Sequence, residues 1–447
     1  MKKFKRIVPL LFIVYTSVFG QKYSLKQCIE YAKQNNSNIK MAYLDAQVSD
    51  KVVDEQIGRS LPQVDISGSM DDKLNITTQL LPGELMGKPG VFIPVKMGTK
   101  YNASAGITLT QKVFDPSIWV ALKAAKLSQE LSNQTIQKTD EQTTYNVGSA
   151  YYRAMVIKKQ LENLKVILSV SQKNLDATEQ KFQNGLSKKI DVDKIKVTFN
   201  NTNSQVQQIE LSYKQALNNL KFYMGMPVES SIDLPDELSD NLITTTEEQT
   251  GQNYIENRID YQIQKSSLAL YEADRENNIA AYYPSLSFTA NYSYQAMRQQ
   301  FDIFNFQKSW YNSASIGLQI SIPVFSGFKR YAKVEESGLN VLKAQENLKL
   351  TEQSIKVELS NYYIQFRNAV DNIQREKENL ELAENVYKNT QIEFSQGVSS
   401  SLDLIQSEST LRETQNNYYT KLLTLYIAKL DLEKSRGNLI NFINNIK

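Results

Sequence analysis

Phe182-Gln183-Asn184-Gly185 returns as Phe394-Ser395-Gln396-Gly397, about 212 residues further on. The correspondence spreads outward from this pair. Asp191-Val192 returns as Asp403-Leu404 and Met224-Gly225 as Arg436-Gly437, both at the same offset. Toward the N-terminus, Val113-Phe114 returns as Val324-Phe325, one residue out of step, and Leu61-Pro62-Gln63-Val64 as Tyr283-Pro284-Ser285-Leu286. A repeat this long is a duplicated architectural half, not a short solenoid unit.

Each Phe-x-x-Gly lies between two runs of helical heptads. Val147, Ala154, Leu161, Leu168, Leu175 and Phe182 recur every seven residues, and Val192, Phe199, Val206, Tyr213 and Leu220 do so beyond the glycine. In the second half Leu359, Phe366, Ile373, Leu380, Tyr387 and Phe394 precede the glycine, and Leu404, Leu411, Tyr418, Leu425, Leu432 and Leu439 follow it. Sustained sevens separated by polar residues are the pattern of helices that supercoil against neighbours. Gly185-Leu186-Ser187 reads as a glycine stop followed by a serine start. The spacing predicts two long helical hairpins, at about 118–225 and 328–440; the first arm alone would reach about 100 Å if continuous.

Four other segments change period from seven to two. Val64, Ile66 and Met70 alternate with Asp65, Ser67 and Ser69; Ala103, Ala105, Ile107 and Leu109 alternate with Ser104, Thr108 and Thr110. Leu286, Phe288, Ala290, Tyr292 and Tyr294 do the same with Ser287, Thr289, Asn291 and Ser293, and Ile316, Leu318, Ile320 and Ile322 with Gly317, Gln319 and Ser321. These predict two-faced strands at about 61–70, 102–114, 284–294 and 314–325. Their length suits a membrane barrel, with Tyr282, Tyr283, Tyr292, Tyr294, Trp310 and Tyr311 available for interfacial girdles. Four strands cannot close a barrel, and an open edge in lipid leaves unpaired backbone groups, so the chain is expected to oligomerise: eight strands from a dimer or twelve from a trimer. The joining segments 71–100 and 295–307 read as long irregular loops, and 226–257, rich in Asp, Glu, Ser and Thr, as the linker between halves.

The first twenty residues read as an export signal. Lys2, Lys3, Lys5 and Arg6 precede an apolar stretch from Ile7 to Phe19, with small Gly20 before a cleavage at Gln21; a retained anchor needs about 20 apolar residues. Of 51 basic and 48 acidic residues, four basic and no acidic ones fall in this segment, so the remainder is near neutral and nothing favours nucleic acid. The chain has no histidine and one cysteine, which removes the usual zinc sites, His-dependent nucleophiles and any intrachain disulfide. Cys28, beside Ile29, Tyr31 and Ala32, reads as a packed helix position. No catalytic constellation and no cofactor is expected.

Arg258-Ile259-Asp260-Tyr261 leading to Tyr283-Pro284-Ser285-Leu286, the counterpart Ser60-Leu61-Pro62 and the two Phe-x-x-Gly tips resemble the TolC-like outer-membrane efflux proteins, over essentially the whole chain beyond the signal. The resemblance implies a mainly helical fold with transmembrane β-structure, each half (21–225 and 258–447) giving two strands and one coiled-coil-like hairpin. It implies a homotrimer in outer-membrane lipid: a twelve-stranded barrel continued by a periplasmic α-helical barrel. Such a duct is passive. A periplasmic adaptor docks at the tips, Gly185-Leu186-Ser187 and Gly397-Val398-Ser399, and connects it to an inner-membrane RND or ABC pump.

The resemblance also places a periplasmic aperture at these tips. Asp403 matches the first of the family's inward aspartates, and Gln406 stands at the second. Asp191 matches the acidic position after the first tip, but the family arginine that holds it is Ser399 here. The closing network is therefore expected to use Lys188, Lys189 or Lys194. An aspartate near a helix start also reads simply as a favourable charge at the positive end of the helix dipole. The contrasting expectation is a non-channel coiled-coil structural or adhesion protein of the envelope, which shares the heptads but has no use for two-faced strands.

Overall fold

The computed structural model describes residues 22–87, 89–235 and 254–445, so the export signal and part of the expected linker lie outside the described residues. In chain order the elements are α1 (Leu25–Asn35), α2 (Ser37–Arg59), β1 (Gln63–Asp72), β2 (Thr78–Pro82), β3 (Phe92–Lys96), β4 (Tyr101–Phe114), α3 (Pro116–Gln183) and α4 (Lys189–Met224). The second half follows with α5 (Tyr254–Asn257), α6 (Ile259–Ala280), β5 (Ser285–Arg298), β6 (Tyr311–Ser321), α7 (Lys329–Gln396), α8 (Ser401–Ser435) and α9 (Leu439–Asn444). The duplication is metric as well as sequential. Both α3 and α7 have 68 residues, and α4 and α8 have 36 and 35.

Two compact units divide the chain. Residues 45–133 and 264–348 form the unit that holds the strands. Its main sheet is antiparallel in the order β1-β4-β5-β6, so the two halves meet at the central β4–β5 pair. The register places Val64, Leu109, Ala290 and Ile316 in one row and Ile66, Ile107, Tyr292 and Ala314 in the next row of the same face. The opposite face carries Asp65, Thr108, Asn291 and Ser315, then Ser67, Gly106, Ser293 and Ser313. There Thr108 Oγ1 donates to Asn291 Oδ1 at 2.7 Å, and the Ser69 and Ser104 hydroxyls pair at 2.9 Å. Side chains of alternate residues point to opposite faces of a strand, so one face is apolar and the other polar. Ile66 and Ile316 are 83% and 81% exposed, so none of the described residues covers the apolar face at its two edge strands.

Three features depart from the sequence expectations. The segment 71–100 is not irregular: β2 and β3 pair antiparallel within it, Leu80 opposite Pro94. Proline has no N–H to donate and is tolerated on such an edge, so Pro82, Pro89 and Pro94 hide this hairpin in the sequence. The last strand, expected to reach 325, ends at Ser321, ahead of Pro323. Each half also opens with a helix, α2 and α6, before its strands. On α2, exposed Met41, Leu44, Val48 and Val52 form one apolar stripe and buried Ile39, Ala42, Ala46 and Val53 another, so its apolar residues do not mark a single face.

Residues 22–44, 134–235, 254–263 and 349–445 belong to the second, helical unit. Its main core gathers Val147 and Met155 of α3, Leu220 and Met224 of α4, Phe366 of α7, Leu425 and Leu432 of α8, and Ile443 of α9. Cys28 of α1 is fully buried there, and burial pushes its thiol pKa up to about 12. From the linker, Leu234 enters the same core and Asp233 O accepts from Tyr23 N at 2.9 Å. No described helix is long and apolar enough to cross a membrane.

Gly225 ends α4 with φ +70°, and a Cβ there would meet Asn35 O at 2.7 Å. Both the backbone conformation and the close approach require glycine. Gly225→Ala is expected to destabilise the protein by more than about 1 kcal/mol, read as a fall in the thermal midpoint of the purified protein.

Candidate functional site

The two Phe-x-x-Gly segments form the same turn. At the end of α3, Gly185 N donates to Phe182 O at 2.9 Å and Leu186 N to Lys181 O at 2.8 Å. At the end of α7, Gly397 N donates to Phe394 O at 3.1 Å and Val398 N to Glu393 O at 2.9 Å. This paired pattern is a Schellman motif, which satisfies the last helical carbonyls by turning one residue left-handed. Gly185 and Gly397 have φ of +76° and +79°, and no atom stands near either missing Cβ. Here glycine is needed for its conformation, not for space. Each turn leaves an apolar side chain at its apex, Leu186 at 78% and Val398 at 76% exposure.

The helices that leave the two tips begin differently. Ser400 caps α8 in a reciprocal box: its Oγ accepts from Asp403 N at 3.2 Å, while Ser400 N donates to Asp403 Oδ2 at 3.1 Å. The Ser400 hydroxyl also donates to Asp403 Oδ2 at 2.6 Å, and Ser399 Oγ reaches it at 3.4 Å. These bonds, the Ser400 hydroxyl first, hold the Asp403 carboxyl below its ordinary pKa. At α4, Lys188 occupies the cap without a side-chain bond, and Asp191 lies in the first turn. Ser399 therefore belongs to the second tip's own cap.

Two contacts cross-brace the tips. Ser401 Oγ, at the start of α8, donates to Asp191 Oδ1 on α4 at 2.7 Å. Lys181 Nζ, in the last turn of α3, donates to Phe394 O at 2.9 Å and Ser395 O at 3.4 Å, and lies 4.8 Å from the Phe394 ring centroid. A cation is favoured at a helix C-terminus, where carbonyls are left over, and over an aromatic face. The expected lysine network is absent from the described residues: Lys188, Lys189 and Lys194 are exposed and make no ion pair with Asp191. Asp191 instead meets Ser401, a short hydroxyl at the start of α8. Leu175, Val192, Ile195, Tyr387, Leu404 and Leu411 form the apolar core beneath.

Asp403 and Gln406 fall together on a polar stripe of α8 with Thr410 and half-buried Thr414, along a groove whose α7 side carries Glu376, Asn379 and Thr390. Lys181 and Ser401 are the tip residues that sequence reasoning missed. A basic residue in the last helical turn was the available signal for Lys181; none marks Ser401.

The chain belongs to the outer membrane efflux protein family, which it matches over residues 28–226 and 251–438. It is 21% identical over 460 aligned residues to the outer membrane protein TolC of Escherichia coli, covering 97% of this chain and 87% of that protein. TolC of Vibrio cholerae is 19% identical, over 75% of this chain and 77% of its own length. Among solved structures, CusC superposes with a TM-score of 0.75 at 16% identity, covering 97% of this chain and 98% of that one. The Campylobacter jejuni channel CmeC gives 0.74 at 14% identity, over 93% and 86%. The protein is thus a TolC-like channel protein of the Gram-negative outer membrane, in a family of channels rather than enzymes.

Lys181→Met keeps the apolar stem and removes the ammonium. Amide hydrogen exchange across residues 394–400 is expected to speed up by several-fold; an unchanged rate would show that the brace carries no weight.

Proposed function

We propose that three copies of the chain form a passive exit duct for a tripartite efflux or type I secretion system. Each four-stranded sheet contributes to a twelve-stranded outer-membrane barrel, and the four long helices of each copy to a periplasmic α-helical barrel. A periplasmic adaptor docks at the tips, and an inner-membrane RND or ABC pump supplies the energy. One observation carries the reading: among the described residues the sheet is two-faced, uncovered at its apolar edge strands and open at β1 and β6. In hydrocarbon each unpaired backbone group costs several kcal/mol, so β6 of one copy must pair with β1 of the next. Lipid then covers the apolar rows, and the serine, threonine and asparagine rows face water. A coiled-coil adhesin has no use for such a sheet.

At the tips, the Asp403–Gln406 stripe lines the aperture and threefold symmetry makes Asp403 a ring of negative charge. Exposed Leu186 and Val398 give the adaptor its apolar anchors. The Asp191–Ser401 and Lys181–Phe394 contacts hold each protomer's two hairpins in the closed arrangement.

Purified protein should run as a heat-dissociable trimer and conduct in planar bilayers; a monomer that never conducts would sink the duct. Asp403→Asn is expected to weaken cation selectivity, read as a smaller reversal potential in a salt gradient. Because the Asp403 pKa is depressed, wild-type selectivity should persist as pH falls to 3.8 and be lost only below it. Gly397→Val, which puts a β-branched residue at positive φ, should abolish efflux in cells while trimers still assemble.

A further inference from the structure

Residues 299–310, which join β5 to β6 at the end of the sheet away from α3 and α7, fold back onto the apolar face. On that face the register sets Tyr101 opposite Arg298 and Ala103 opposite Ala296. Ala103, Ala296 and Arg298 are buried, Ala296 completely, whereas Met297 between them points to the polar face and is 49% exposed. The loop is the cover. The Phe301 ring stands edge-on to Tyr101 at 5.4 Å, Arg298 Nη2 donates to Ser309 O at 2.8 Å, and Ile303 is buried.

The outer surface of this loop is aromatic and its charge is unbalanced. Phe301, Phe304 and Phe306 are exposed, Phe306 stacks on Trp310 with centroids 6.5 Å apart, and exposed Asn305 and Gln307 set amide groups between the rings. Asp302 faces two cations: its Oδ1 is 3.5 Å from Arg298 Nε, and its Oδ2 meets Lys308 Nζ. Among the described residues neither cation pairs with a second carboxylate, so one positive charge is left over. Arg298 is buried and the Lys308 side chain is 52% exposed, so Lys308 is the cation a ligand reaches. Lys100, 5.1 Å from the Tyr101 ring centroid, has Asp72 beside it, and that pair adds no net charge. Exposed Tyr292 and Tyr294 lie further along the same face, so the patch runs without a break into the apolar surface of the sheet.

We propose that the 299–310 loop binds the phosphorylated headgroup of an outer-leaflet glycolipid. Lys308 donates to the phosphate, the amides of Asn305 and Gln307 meet sugar hydroxyls, and Phe304 and Phe306 lie against the upper acyl chains. A cation beside aromatic rings, at the margin of a lipid-covered face, is the chemistry that an anionic lipid headgroup requires. The Arg298–Asp302 contact and the Phe301–Tyr101 contact fix the loop on the sheet, so little ordering is left for the lipid to impose. The site rests on the duct proposed above in one respect: there the end of the sheet away from the long helices is the outer one.

Trp310 reports on the site, because the chain has only one other tryptophan, Trp119. In a Trp119→Phe background, the full-length protein in detergent is titrated with bisphosphorylated lipid A while Trp310 fluorescence is followed. The signal is expected to change saturably, and the same lipid stripped of its phosphates to bind about tenfold more weakly, the worth of one charge-assisted hydrogen bond. Lys308→Gln should bind both lipids alike, and Lys308→Arg should keep the preference. No saturable change, equal binding of the two lipids by the background protein, or an undiminished preference in Lys308→Gln would each overturn the proposal; the first two need no further variant to fold. Phosphatidylethanolamine binding as tightly as lipid A would overturn the choice of a glycolipid. Bilayer recordings keep the site and the duct apart. A protein that conducts but shows no phosphate preference loses the site alone, and one that shows the preference but never conducts loses the duct alone.

Discussion

The sheet cannot satisfy its own backbone. Among the described residues its four strands leave the outer N–H and C=O groups of β1 and β6 without a strand partner, and one face is a field of isoleucine, leucine, valine, alanine and tyrosine that no described residue covers at the edge strands. In water such a face loses about 1.5–3 kcal/mol for each large side chain that could have been buried, and in lipid the edges become the greater cost. The proposed assembly of three copies answers both demands. The duplication has the same logic, because two like halves meeting at β4–β5 give a sheet whose first and last strands can serve as partners for one another.

The helical unit shows how a duplicated segment diverges without losing its geometry. The two tips use the same Schellman turn, at Gly185 and Gly397, and both long arms have 68 residues. Around those fixed points the polar chemistry is asymmetric. The second tip closes its own helix start with Ser400 and Asp403, whereas the first leaves Asp191 free to reach across to Ser401. Lys181 spans the opposite way, from α3 to the end of α7. Turn geometry is conserved between the halves because backbone hydrogen bonds demand it; side-chain bonds are free to differ.

Much of this was legible before any coordinates. Leu175, Leu404 and Leu411, identified by sevens, are buried beneath the tips. Apolar residues off that seam, such as Val166, Val197 and Leu211, are exposed, so hydrophobicity alone would have misplaced them. The β2–β3 hairpin was not legible, because its prolines read as loop. Neither was helix α2, whose apolar residues fall on two stripes, one exposed and one buried. The sequence leaves Asp403 two roles, an aperture aspartate or a favourable charge at a helix start; its capping box shows the helix-end role, and the aperture role belongs to the proposed function.

The sequence by itself determined the duplication, the two side-chain periods and the glycine turns, because each depends on residues close along the chain and on local backbone preferences. Only the tertiary structure decided that Asp191 meets Ser401, that Lys181 caps α7, and that Thr202 of α4 donates to Glu408 of α8. Those partners lie roughly 200 residues apart. Their meeting depends on how one helix is rotated and shifted against another, which the packing of whole hairpins sets and which no local pattern encodes.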